Sequence, residues 1–303
     1  MRTLPTIALD NLPLPPVIEP IAYEDLLAAI VTEFKARWET RRAANPDLPA
    51  YDVELLETDP AKILLESGAF IYMLALARVN DAARALMLAT ATGGDLEAFA
   101  TDFGLQKLTI TPATDDAPAV LESDRDFRLR RQLAPEAYAA AGPGDAYRFF
   151  ALSADASIKQ ALALKGDANR IDLVLLSRDG DGTVDTETIA KVHEALSPHL
   201  VRPLTDALYT RSAEIVGQAI HVVLTVPHGP DRETVRARAE SQIAAYAAAR
   251  HAIGTALRVD GIIGAARENN AIETMQVVAP AVDVEPGIYG AVHVTGITVE
   301  VAA

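Results

Sequence analysis

The sequence predicts an α+β protein: a helical N-terminal region built on one long helix, followed by two small α+β domains. Three observations predict it. Apolar residues recur at helical spacing between Tyr23 and Phe103. Within that region the stretch from Pro60 to Thr92 holds no further Pro and a single Gly, Gly68. Beyond residue 111 the apolar period switches back and forth between the two of a strand and the 3.6 of a helix, which suggests layered sheet and helix.

Residues 1–22 are rich in Pro and lack periodicity, so an extended arm is expected there, one able to lie along a neighbour. Residues 23–44 read as a helix carrying Leu26, Leu27, Ile30, Val31, Phe34 and Trp38 on one face, stopped by Asn45-Pro46-Asp47-Leu48-Pro49. In the long helix Asp59 is placed to cap the first turn and Pro60 loses no hydrogen bond at the first position. Gly93-Gly94 is expected to end this helix, and Asp95 to cap a short one after it. Leu64, Ile71, Ala75, Val79, Ala82 and Leu86 fall on one side, and Phe70, Leu74 and Ala77 widen it. A helix this apolar is either a core helix of this chain or one that packs against partner chains; periodicity leaves both open. Residues 23–110 form the expected bundle-forming region.

Pro112 and Pro118 mark a boundary and hinge within residues 105–121. A middle domain, 111–211, opens with a charged helix. There Asp124 and Asp126 precede Arg128 and Arg130 by four residues, which predicts a solvated, self-paired face, with an inter-subunit salt-bridge face as the alternative. A helix capped by Asp145 follows Gly142-Pro143-Gly144. Strands at 157–164 and 170–177 come next, the second apolar on both faces, then a helix capped by Asp185. The C-terminal domain, 212–303, reads as a strand at 212–226, helices at 231–250 and 260–267, and strands at 272–278 and 292–301.

Composition excludes several functions. With no Cys among 303 residues there is no disulfide, thiolate metal site or cysteine nucleophile. A net charge of −15 repels nucleic acid and anionic membranes. Apolar runs are broken by charges, so no transmembrane helix and no signal peptide is expected. The run Ser177 to Thr188 has Asp179, Asp181 and Asp185 spaced as in a calcium loop, but Ser177 stands at its first position and Thr188 where a bidentate Glu is needed. The competing reading is a glycine-permitted turn into a helix capped by Asp185. The six His, at 193, 199, 221, 228, 251 and 293, form no His-Glu-x-x-His motif. No nucleophile elbow, phosphate loop or dinucleotide fingerprint occurs, so neither catalytic residues nor a cofactor is expected.

Asp59-Pro60, the run from Arg78 to Ala89, Ala91-Thr92-Gly93-Gly94-Asp95-Leu96 and Phe103-Gly104-Leu105 together resemble the N-terminal signature of the baseplate protein J family of contractile-tailed bacteriophages. Further resemblance lies in Asp126-Phe127-Arg128-Leu129-Arg130, Gln132-Leu133-Ala134, Ala141-Gly142-Pro143-Gly144, Ser177 to Gly182 and Val201-Arg202-Pro203-Leu204-Thr205-Asp206. The resemblance implies a non-enzymatic subunit of a tail baseplate wedge. Two copies would join a related wedge protein through their N-terminal helices, and the remaining domains would form a ring around the hub. Implied partners are a second copy, the related wedge protein, a lysozyme-like or sheath-initiating wedge protein and the hub or spike periphery. The implied location is the virion tail, reached from the host cytoplasm. Carried onto this sequence, the partner surface is Leu64, Phe70, Ile71, Leu74, Ala75, Arg78, Val79, Ala82 and Leu86. The first 22 residues and 284–303 depart from the family pattern. A tailocin or another contractile device would use the same subunit, and a cell-wall-degrading tail enzyme is the rival of another class.

Overall fold

The computed structural model describes residues 9, 12–51, 58–139, 142–167, 169–198, 201, 203, 205–229, 231–267 and 271–302. The chain forms two compact units, residues 1–106 and 107–303. The first is helical and the second mixed α+β, as the sequence predicts.

In the first unit α1 spans Tyr23–Ala44 and α2 spans Pro60–Ala85. Asp59 caps α2 as expected, its side chain accepting from the Ala61 amide, and the Tyr51 hydroxyl donates to the same carboxylate. At about 1.5 Å per residue α2 is roughly 39 Å long. The expected end at Gly93-Gly94 is wrong by two turns. The Arg84 carbonyl, which would receive residue 88 in a continuing helix, accepts instead from the Leu86 and Met87 amides and the Thr90 hydroxyl. These bonds close the helix at Ala85. Gly93 then opens α3, Gly93–Ala100, rather than closing α2. The residue before α3 is Thr92, so Asp95 lies in its first turn and is not its cap.

The described part of the arm is tied to α2 by one side chain. Asn80, buried in α2, donates from Nδ2 to the Glu19 carbonyl (2.7 Å) and accepts at Oδ1 from the Glu19 amide (3.2 Å). Tyr51 meets Phe34 and Trp38 of α1 edge-on, at 5.1 and 5.8 Å between ring centres. Even so, the buried residues described in this unit are Ala69, Asn80, Ala91, Leu96 and Ala100.

The second unit opens with a hairpin that sequence reading assigned to a linker: β1, Thr109–Thr111, antiparallel to β2, Val120–Leu121. Its base is fixed by Glu122, which is buried against Arg130 of α4 (Asp124–Leu133). Arg130 reaches both carboxylate oxygens, from Nε at 3.0 Å and Nη2 at 2.8 Å, and Glu122 also receives the Leu108 amide. The solvated-face expectation for α4 therefore fails at Arg130, because Phe127, Arg130 and Leu133 turn inward. Asp124 pairs with Lys107 and Asp126 with Arg178, both outside the helix. Asp145 does not cap α5 (Gly144–Ala154); Pro143 precedes that helix and Asp145 pairs with Arg148.

Two three-stranded sheets follow. In the first, β4 (Arg170–Ser177) lies between β3 (Ile158–Lys165), antiparallel, and β5 (Ala207–Ser212), parallel. Leu173, Val174, Leu175 and Leu176 are all fully buried, so β4 is covered on both faces as its sequence predicts. Helix α6, Thr186–Ala195, is capped by Asp185. In the second sheet β6 (Glu214–Thr225) lies between β7 (Thr274–Ala279), antiparallel, and β8 (Gly290–Val301), parallel. Helices α7 (Arg232–Arg250) and α8 (Val259–Ala266) pack on it over Ile220, Val222, Leu224, Ile243, Leu257 and Ile262.

The strand expected at 212–226 is β6, beginning two residues later; sequence reading missed β5 just before it, and the two meet at a sheet change. At the buried Ala213 the amide bonds to Leu175 of the first sheet, while the next amide, of Glu214, bonds to the Tyr289 carbonyl beside the second. Val174, Leu176, Ala213, Ile253 and Ala291 form one apolar cluster drawn from both sheets.

Removing one partner of a buried ion pair strands the other. Glu122→Ala is expected to lower unfolding stability by about 3–5 kcal/mol, measured by urea denaturation of the intact chain, whereas Glu33→Ala at the exposed Arg37–Glu33 pair of α1 costs about 1 kcal/mol or less.

Candidate functional site: an uncovered helix face

Eight of the nine residues assigned to a partner surface lie on α2 and the ninth, Leu86, directly follows it; all nine are exposed. Leu64 is 73% exposed, Ile71 66% and Leu86 78%, and Phe70, Leu74 and Val79 are each at least half exposed. Ile63 and Tyr72 extend the same surface. At 100° per residue these positions span an arc of about 200°, a little over half of the helix circumference, while Ala69 and Asn80 mark the covered side. A helix surface of this kind in water loses the roughly 1.5–3 kcal/mol that burying each large apolar side chain supplies. It offers no nucleophile or ligand set: exposed apolar side chains surround a single cation, Arg78.

By length and composition α2 is also apolar enough to cross a membrane, although charges interrupt its apolar run as the sequence predicts. Glu66 and Arg78 stand twelve residues apart, which leaves a long apolar window between them.

The carboxylates considered for calcium lie elsewhere and do not converge. Asp181 accepts the Thr183 amide at 2.9 Å, and Asp185 caps α6 through the Thr188 amide at 2.8 Å. Those amide donations hold both carboxyls below the usual aspartate range. Asp179 enters the turn through its own amide, which donates to the Ser177 hydroxyl. Among the described residues no three His, Asp or Glu side chains are grouped to hold a metal ion.

What the turn does is pack. Gly182 has φ of +97°, and a Cβ there would stand 2.6 Å from Leu176 and 2.8 Å from Nε2 of His251. His251 in turn donates from Nδ1 to the Val292 carbonyl (2.8 Å), and its own carbonyl receives Lys159 Nζ. Burial pushes the His251 pKa down, so its neutral form is the folded one, with Lys159, Arg178, Asp181, Glu240 and His293 around it. Of the other histidines, His193 meets Thr210 and His221 meets Glu300, and residue 199 lies outside the described residues. Sequence reading missed this junction because its members, Lys159, Gly182, His251 and Val292, are far apart in the chain and share no pattern.

The baseplate J-like N-terminal domain family model matches residues 57–114, which include all of α2 and α3. Baseplate protein J of Escherichia phage P2 is 34% identical over 285 residues, covering 93% of each chain.

Two outcomes test the turn and its surroundings. Asp185→Ala is expected to cost about 1 kcal/mol through loss of the cap, equally with and without millimolar calcium, read by thermal denaturation. Because the His251 pKa is depressed on folding, its contribution is present above about pH 6.5 and is lost as the pH falls below that. The melting temperature should drop between pH 7 and 5, and His251→Gln should flatten that slope.

Proposed function

Because this chain belongs to the baseplate protein J family, we propose that it is a structural subunit of a contractile tail baseplate, and that the α2 face is where it joins other subunits. The supporting observation is the exposure of Leu64, Phe70, Ile71, Leu74, Val79 and Leu86 in a helix that the family domain covers from end to end. A second copy of this chain and a related wedge protein supply the covering helices. The α+β unit then contributes to a ring around the hub, near the sheath-initiating or lysozyme-like wedge protein and the spike periphery. The location is the virion baseplate, assembled in the host cytoplasm, and a tailocin or related particle would use the subunit in the same way. In this reading the chain has no catalytic role, and a cell-wall-degrading activity would appear as turnover on purified cell wall.

A membrane-crossing α2 is the second reading, favoured by its length and composition. It would have to place Asn80, with its two bonds to Glu19, and the ends charged by Lys62 and Arg84 at or near the bilayer. Flotation with lipid vesicles tests it: the soluble-bundle reading expects the protein to stay at the bottom of the gradient.

Mass measurement of the chain alone and co-expressed with its genetic neighbours tests the main proposal. A defined complex containing two copies and one neighbour is expected, and a monomer indifferent to every neighbour would overturn it. Ile71→Asp or Leu74→Asp puts a charge into the joined face, so the complex should weaken by about a hundredfold or more, while the far-ultraviolet circular dichroism of the free chain stays unchanged.

A further inference from the structure

The second sheet ends in a strand paired on one side only: β8 bonds to β6 and has no strand beyond it. Near its start the open side is met twice, where the Gly290 carbonyl receives the Gly254 amide and the Val292 carbonyl receives Nδ1 of His251. Past Val292 no group of the described residues bonds to the backbone on that side. An open edge is a template for another strand, and proteins blunt it with Lys, Pro, bulges or cover. The edge of β8 has a bulge at Thr295 and one acid, Glu300, but neither Lys nor Pro. Thr295, Gly296 and Thr298 are exposed.

Beside that edge lies a groove of about 470 Å³. Ala244, Ala247 and Ala248 of α7 form one wall, and Val294, Gly296 and Ile297 of β8 the other. Side chains this small leave room for a further chain next to the edge. The groove is cationic where it approaches Val292. There Lys159 Nζ donates to the His251 carbonyl at 2.8 Å, and it forms no ion pair among the described residues. Burial first, and then the Arg178 charge, push its pKa below the ordinary lysine value. The other charges lining the groove are already matched, Arg178 by Asp126 and Glu240 by Arg236. Asp181, whose charge reaches His251, is occupied with the Thr183 amide. Lys159 therefore stands as a half-buried ammonium with donors to spare and no counter-ion, which an incoming carboxylate would stabilise.

We propose that this groove takes an extended segment of another protein chain as an added strand on β8, with an aspartate or glutamate of that segment paired to Lys159. Main-chain bonds to the edge would supply affinity with little regard to sequence, and the carboxylate would fix the register. Every second side chain of the added strand faces the alanines of α7, so small or β-branched residues suit those positions. The site lies wholly within residues 107–303 and does not depend on what covers α2.

The probe is a rhodamine-tagged, terminally blocked peptide of alternating valine and threonine with aspartate at both ends, titrated with the full chain and read by fluorescence anisotropy. Saturable binding is expected, with amide hydrogen exchange slowed in the segment that holds residues 293–298. The same peptide with asparagine ends should bind about tenfold more weakly, because a hydrogen bond between charged groups is lost. Lys159→Gln should remove that preference. A proline at the peptide's centre lacks the N–H that strand pairing needs and should abolish binding. So should Ala248→Phe, which fills the groove from an exposed helix position, with an unchanged melting temperature showing that variant folded. The idea is sunk if the aspartate peptide does not bind, if its binding survives the proline or Ala248→Phe, or if asparagine ends serve as well. Complete displacement of the peptide by acetate would reduce the site to an anion pocket, and self-association of the full chain that Ala248→Phe removes would make the occupant a second copy; either result also overturns it. None of these readouts involves α2, whose own test is complex formation with the genetic neighbours.

Discussion

The constraint on which this molecule turns is that its longest helix carries far more apolar surface than the chain covers. A helical unit whose described interior consists of Ala69, Asn80, Ala91, Leu96 and Ala100 has little with which to offset the entropy of ordering itself. The unit of 107–303, in contrast, has two sheets with apolar clusters beneath them. Burial among the described residues therefore contributes little to the stability of the first unit. In the assembly proposed above, covering α2 would add to the same free energy that orders it.

The α+β unit solves a different problem, that of joining two small sheets. Each sheet has three strands, and a sheet of that size is stable when a face is packed against something else. Here the chain runs from β5 into β6 through the single residue Ala213, so the last strand of one sheet hands over directly to the central strand of the other. The shared cluster of Val174, Leu176, Ala213, Ile253 and Ala291 lies at this junction, and the close approach at Gly182 and His251 flanks it. A side chain at residue 182 would enter that contact, so the glycine serves packing as much as turning.

How much of this was legible in the sequence depended on whether the controlling interaction was local. The bounds of α1, the Asp59 and Asp185 caps and the fully buried β4 are set by residues within a turn or two, and the sequence predicted them. The α2 face was legible as a pattern, yet whether it was covered was not, because coverage depends on what else the chain folds against it. The end of α2 was misplaced because Gly93-Gly94 is a strong signal, while the competing bonds to the Arg84 carbonyl come from a threonine six residues on. Arg130 looked like a surface residue beside Asp126; its real partner, Glu122, lies eight residues back and outside the helix. The hairpin escaped notice because its strands are three and two residues long, too short for alternation to register.

The position of the Glu122–Arg130 pair also has a mechanical meaning. The chain enters the α+β unit at Lys107 and Leu108, and these two residues are fastened at once, Lys107 to Asp124 and the Leu108 amide to Glu122. Tension arriving along the chain from residue 106 would meet ionic contacts anchored on α4 before it reached any strand of the two large sheets. A pull delivered there would have to break those contacts before it could peel the chain toward the sheets from this end.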